Sequence, residues 1–297
     1  MLKRLLNLHE EVTHRRLQEV CGANDAHVYA KVRVADVLSI ENSGIDGALF
    51  RYALQAHFDF VVTDTEHSPL FSVEFDGPRH DEARQRERDS LKNSLCDRFD
   101  LPLLRINARY LPRRYRDMDL LTWFVQVWFA QRWFEEAQAS GQVPYDEPFM
   151  PQSFILLPGH KQQFPLWLSA TVRGRLRKLC FSGKILDIAP SKLIGTDLSG
   201  DHHAIAFLRF DANQGVMTET GMRSQRFPVS ESDALDEIVT IALYEKLLSV
   251  LSAKSSGTPY GEIEQRIATF VQEHEICRAF HVGGSYAIPE STFRRSR

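Results

Sequence analysis

Three neighbouring runs decide the fold: FDFVVTD (58–64), PLFSVEFDGPRH (69–80) and RERDSLKNSLCDRFDLPLLRI (86–106). In the first, Phe58, Phe60 and Val62 alternate with Asp59, Val61 and Thr63. In the second, Phe71, Val73 and Phe75 alternate with Ser72, Glu74 and Asp76. This two-residue period predicts strands at His57–Thr63 and Pro69–Phe75. Gly77-Pro78 then ends the second strand. The third run changes period: Leu91, Leu95 and Phe99 recur at helical spacing and predict a helix over about 81–98 with those residues buried. Leu101–Ile106 follows as a buried strand.

Working outward, Leu5, Leu8, Val12, Leu17 and Val20 predict a first helix over about 5–20, stopped at Gly22-Ala23-Asn24. His27–Leu38 reads as a long, irregular strand, followed by a loop over Glu41–Asp46. The order helix, three strands, helix, strand defines a compact α/β unit over residues 1–112. An aromatic-rich helix over about 118–139 carries Trp123, Phe124, Trp128, Phe129, Trp133 and Phe134. This face is broader than one core stripe needs, and fits either a bridge (113–140) between domains, a protein partner or homodimer surface, or an ordinary buried helix. Residues 141–153, rich in proline, read as a linker. Residues 154–297 read as a second, α+β domain. It has an apolar run at Phe154–Leu157, a hairpin at Ala204–Phe210 with Gly215–Thr220, and helices at about 232–251 and 260–273.

The carboxylates carry the chemistry. Asp59, Glu74 and Asp76 share one parity, so pairing of their strands brings them together on one face. Like charges about 4 Å apart repel by roughly 4 kcal/mol at an effective dielectric of 20, so such a set calls for a cation or a proton. Hard oxygen donors select Mg2+ or Mn2+, which keep waters and accept phosphate oxygens. Lys92 follows Leu91 by about 100° around the helix and is expected to reach over the sheet. There it would orient a water or stabilise charge on a phosphate, and the implied chemistry is hydrolysis of a phosphodiester. His80, just past the turn, reads as a catalytic candidate or a turn residue.

These runs, with HEEVTHRRL (9–17) and VYAKVRVADVL (28–38) upstream, closely resemble a bacterial domain family of once-unknown function in the PD-(D/E)XK, restriction-endonuclease-like nuclease superfamily, related to very short patch repair endonucleases. The resemblance covers about Leu8 to Leu111. It implies a restriction-endonuclease-like core in which Asp59 and Glu74 bind the metal. Glu74 takes the acidic (D/E)XK position, and Asp76 stands where the standard pattern has lysine. Lys92 resembles a lysine that has migrated to the helix, and Glu10 resembles the acidic residue of the first helix, with Glu11 beside it. The implied activity is a Mg2+-dependent nuclease acting on DNA in a repair, restriction or defence role. The alternatives are a catalytically silent nuclease-like module that binds nucleic acid or protein, and a partner-activated effector subunit.

The chain has 297 residues, a formal net charge of −3 and 43% hydrophobic residues, which excludes a mostly disordered chain. Charge is distributed unevenly. Arg79 to Asp117 holds 11 Lys+Arg against 7 Asp+Glu, and Pro148 to Leu186 holds no acidic residue but Lys161, Arg173, Arg175, Arg177, Lys178 and Lys184. Arg79, Arg88, Arg173, Arg175, Arg177 and Lys178 are therefore candidate phosphate contacts, as is the basic end at Phe293–Arg297; a solvated face or partner site explains the stretch from Arg173 to Lys178 equally well. Asp201-His202-His203 reads as a polar loop rather than a metal site. Four scattered cysteines favour a reducing compartment. The apolar stretch Leu120–Phe134 is too short and too polar to span a bilayer, and the N-terminus lacks a secretory pattern. The expected setting is the cytoplasm, with no membrane contact.

Overall fold

The computed structural model describes residues 4–77, 83–112, 118–153 and 165–280, with the side chains of 83–86 excepted. His80, Arg79, Lys161, the run Phe154–Leu157 and the basic C-terminal end lie outside the described residues. The chain divides into two compact units, Met1–Leu166 with Gln225–Val229 and Trp167–Ser224 with Ser230–Arg297. Both are mixtures of helices and a sheet.

The first unit begins with α1 (Leu8–Gly22). It starts three residues later than the apolar spacing predicts because Asn7 caps it. The Asn7 side chain accepts the Glu10 amide, and the Glu10 carboxylate accepts the Asn7 amide. Leu5 and Leu8 are consequently exposed rather than part of the buried stripe. Strand β1 (His27–Arg33) is shorter than expected, because Val34–Val37 turns into a short helix, α2. Helix α3 (Gly47–Gln55), capped by Asp46, follows the expected loop and was not apparent in the sequence. Strands β2 (His57–Thr63) and β3 (Pro69–Phe75) match the expected bounds. Helix α4 (Ala83–Arg98) and β4 (Leu103–Ile106) complete the order. The sheet order is β1-β2-β3-β4, with β4 parallel to β3 and the other pairs antiparallel.

Both faces of β2, β3 and β4 are buried, whereas β1 is partly exposed. On α1, His14 stacks on Phe60 and His9 on Phe75. Phe58, Val61 and Leu103 join Leu95 and Cys96 of α4 and Ala53 of α3 in one core cluster. Helix α5 (Leu120–Ala139) belongs to this unit, and half of its 20 residues are buried. Its broad aromatic face is occupied within the unit: Phe71 packs edge-on against Trp128 and Phe227, and Trp123 against Phe124. The Trp123 indole N–H donates to the Leu166 carbonyl at 2.9 Å.

The second unit opens with α6 (Ala170–Phe181) and continues with β5 (Ser191–Thr196), β6 (His202–Arg209) and β7 (Gln214–Met222). Helix α7 (Glu231–Leu251), β8 (Thr258–Pro259), α8 (Tyr260–Glu273) and β9 (Glu275–Phe280) follow. The antiparallel sheet runs β8-β7-β6-β5-β9. The hairpin and both long helices stand where the sequence predicts them, whereas β5 and β9 were missed. Leu193, Ile205 and Phe207 pack against Ile263, Ile267 and Phe270 of α8. His202 and His203, expected in a loop, begin β6.

Trp123 is fully buried and hydrogen-bonded. Trp123→Ala should lower stability by about 3–5 kcal/mol in urea unfolding of the full chain. A loss below about 1 kcal/mol would contradict its placement in a close-packed core.

Candidate functional site

The four strands of the first sheet set one charged residue each in a row. Lys31 on β1 stands opposite Asp59 on β2, between the pairs Ala30↔Phe60 and Val32↔Phe58. The pair Phe60↔Val73 sets Asp59 across from Glu74 on β3, and Glu74 pairs with Arg105 on β4. The expected convergence of Asp59 and Glu74 is therefore a consequence of register. Asp59 Oδ2 accepts the Phe75 amide at 2.9 Å, and Glu74 Oε1 accepts the Asp59 amide at 3.2 Å.

Two helices bring further charges to this row. Glu10 of α1 directs Oε2 to the Asn7 amide and Oε1 to Lys31 Nζ at 2.8 Å. Lys31 Nζ also lies 2.6 Å from Asp59 Oδ1. The neighbouring Glu11 pairs with exposed Arg4, so Glu10 is the acidic residue of α1 that joins the row. From α4, Lys92 Nζ lies 2.7 Å from Glu74 Oε2 and donates to the His57 carbonyl at 2.8 Å. The sequence placed Lys92 beside a buried stripe led by Leu91. In the structure Lys92 is the more buried of the two, because the Glu74 carboxylate draws it under the sheet edge. Asp76 pairs with β4: its Oδ1 lies 3.3 Å from Arg105 Nη1, which is also 3.2 Å from Asp89. Arg105 further donates to Asn93 at 3.0 Å.

Burial sets the electrostatics. Glu74 is 9% exposed, and desolvation pushes its carboxyl above the usual carboxylate range; Lys92 opposes the rise and Asp59 adds to it. Burial works against the Lys31 ammonium as well, but its bonds to Asp59 and Glu10 outweigh that and hold its pKa above the ordinary lysine value. Lys31 has φ +56, a left-handed backbone that costs a non-glycine residue about 1–2 kcal/mol. Sequence reasoning missed Lys31, Arg105, Asp89 and Asn93. The available signal was a lysine inside VYAKVRV and an arginine inside LPLLRI, each a charge interrupting an apolar strand.

The row, with its helix partners, joins five carboxylates (Glu10, Asp59, Glu74, Asp76 and Asp89) to three cations (Lys31, Lys92 and Arg105), a formal charge of −2 among the described residues. No group of three or more His, Cys, Asp or Glu side chains is arranged to hold a metal ion among the described residues.

The candidate phosphate contacts fare differently. Arg88 is exposed, as are Arg175, Arg177 and Lys178 on α6. Arg173 turns inward, 2.6 Å from Asp236 and 3.7 Å from Glu237, with its guanidinium over the Trp167 ring. Lys192 also bonds Asp236. Glu237 is fully buried and accepts the Ser169 amide at 2.6 Å; burial raises its carboxyl to about 7, against the pull of Arg173. His203 Nε2 is 2.9 Å from Asp197, with its ring 4.7 Å from His274.

The chain is thus a mixed α/β protein whose first unit carries a partly buried charge network. A family model described as a protein of unknown function (DUF2726) matches residues 2–118, the segment that contains this network and under half of the chain. No curated protein and no solved structure matches the chain. Among the described residues no helix is long and apolar enough to cross a membrane.

Two stability effects follow. Lys92→Met strands a buried carboxylate and should cost about 3–5 kcal/mol; adding Glu74→Gln should recover much of that in a double-mutant cycle, and strict additivity would deny the pairing. Glu237 is neutral-preferring in the fold, with a pKa raised from 4.5 to about 7. Its stability contribution is full below about pH 4.5 and is lost as pH rises towards 7, on the order of 3 kcal/mol in all. Glu237→Gln should flatten urea-unfolding stability across that window, and an unchanged slope would refute the assignment.

Proposed function

We propose that the first unit is a metal-dependent nuclease of the PD-(D/E)XK type that hydrolyses phosphodiester bonds in DNA, in a repair, restriction or defence role. The observation that carries the reading is Asp59 directly across from Glu74 on adjacent strands, with the Glu74 carboxylate accepting the Asp59 amide. The order α1, β1, the inserted helices α2 and α3, then β2, β3, α4 and β4, with β4 parallel to β3, supports a restriction-endonuclease-like core.

The donor chemistry suits Mg2+ or Mn2+ in one specific way. Two hard carboxylates set opposite each other on adjacent strands match an ion that keeps waters and takes phosphate oxygens. Asp59 and Glu74 would hold it, with Glu10 adjacent. The ion, when bound, offsets charge developing on the phosphoryl group and makes an attacking water more acidic. Lys92 favours the ionised form of Glu74 and fixes its Oε2. Asp76, held by Arg105, is a further candidate to hold the ion. Exposed Arg88 and the exposed cations of α6 are available to backbone phosphates.

A second reading, a catalytically silent module that binds nucleic acid or protein, is favoured by one observation: Glu10, Asp59 and Glu74 each already have an ammonium partner. Cleavage assays separate the two. The full chain with Mg2+ or Mn2+ should cut DNA in a panel of single-stranded, duplex and branched DNA and RNA. Glu74→Gln and Asp59→Asn, checked for folding by circular dichroism, should lower the rate by at least about a hundredfold. Cleavage in EDTA, or rates unchanged in both variants, would end the metal mechanism; binding without cleavage would select the silent module.

A further inference from the structure

The two lysines of the network differ in a way that assigns them different jobs. Lys92 is 9% exposed and enclosed: Glu74, the His57 carbonyl and the Phe58 ring surround its ammonium. Lys31 is 34% exposed and stands on the edge strand β1. It is also the residue at which β1 takes a left-handed backbone. Strain of this kind persists where the surroundings hold it, and it collects at working sites.

What holds Lys31 is a pair of carboxylates already fixed from behind. Glu10 is anchored through Oε2 by the Asn7 amide and turns Oε1 to Lys31. Asp59 is anchored through Oδ2 by the Phe75 amide and turns Oδ1 to Lys31. Each carboxylate thus directs one oxygen to the backbone and the other to the same ammonium. Without a positive charge between them the two would repel, so the ammonium meets the same electrostatic need as a bound metal ion. Its flexible four-carbon stem, a third open to solvent, lets it leave without moving the backbone.

We infer that Lys31 is a resident counter-cation of this site: its ammonium keeps Glu10 and Asp59 in place until a divalent cation displaces it, and the displaced ammonium then faces solvent, where it meets a substrate phosphate. This rests on the metal-dependent reading above and deepens it. The site is thereby held ready without metal, and metal affinity is set by competition with a tethered charge.

The test is direct binding, with no nucleic acid present. Mn2+ is titrated by calorimetry into the full chain as wild type, Lys31→Met, Lys31→Asn and Lys31→Arg. Asparagine tolerates the left-handed backbone, so Lys31→Asn removes the charge with the least strain. Both neutral variants should bind Mn2+ about tenfold tighter or more than wild type, and Lys31→Arg should remain near wild type. Mn2+ should also raise the melting temperature more in the neutral variants. Binding confined to the neutral variants would show that the cation does not displace the ammonium, and would overturn the inference. If wild type binds and the neutral variants bind equally or more weakly, or if Lys31→Arg binds as tightly as they do, the inference is overturned while the metal-dependent reading stands. If no variant and not wild type binds Mn2+, both fall.

Discussion

The first unit is organised around the burial of the Glu74 carboxylate. Removing an ionised carboxylate from water costs several kcal/mol unless a partner and hydrogen bonds compensate. Glu74 receives both, from Lys92 on α4 and from the Asp59 amide on β2. That requirement fixes which face of α4 meets the sheet, and so places Asp89 and Asn93 against Arg105. It also leaves Asp59 beside another negative charge, which Lys31, itself held by Glu10, offsets. The charged row is therefore a connected set, and its members are coupled rather than separate surface pairs.

The second unit meets the same problem with other residues. Arg173 and Lys192 converge on Asp236, and Glu237 meets its burial by a raised pKa rather than by a close ion pair. Arg173 thereby leaves the set of exposed phosphate contacts, while Arg175, Arg177 and Lys178 remain on the open side of α6. A run of cations in sequence is divided by helical geometry, which turns successive residues by about 100°.

The legible elements were those whose apolar residues keep one period. Strands β2 and β3 and helix α8 were readable to the residue, because alternation or helical spacing runs through them without interruption. Elements whose signal lies elsewhere were missed. Strand β5 is buried along almost its whole length and shows no alternation, and α3 is only 9 residues long, so its helical spacing has little room to repeat. The start of α1 shifted because a capping box at Asn7 outranked two apolar residues.

The sequence by itself determined which residues of one strand share a face, Glu74 with Asp76 and Asp59 with Val61, since strand parity is a local property. It also determined strands β2 and β3, the helix and buried strand that follow them, and the concentration of charge by segment. Only the tertiary structure decided which charges meet. Pairing of β1 with β2 brought Lys31 to Asp59, the cap of α1 aimed Glu10 at Lys31, and the parallel β4 brought Arg105 to Asp76. The reason is physical: parity fixes the face of a residue, but register and helix docking fix its neighbours, and an ion pair depends on neighbours a few ångströms away.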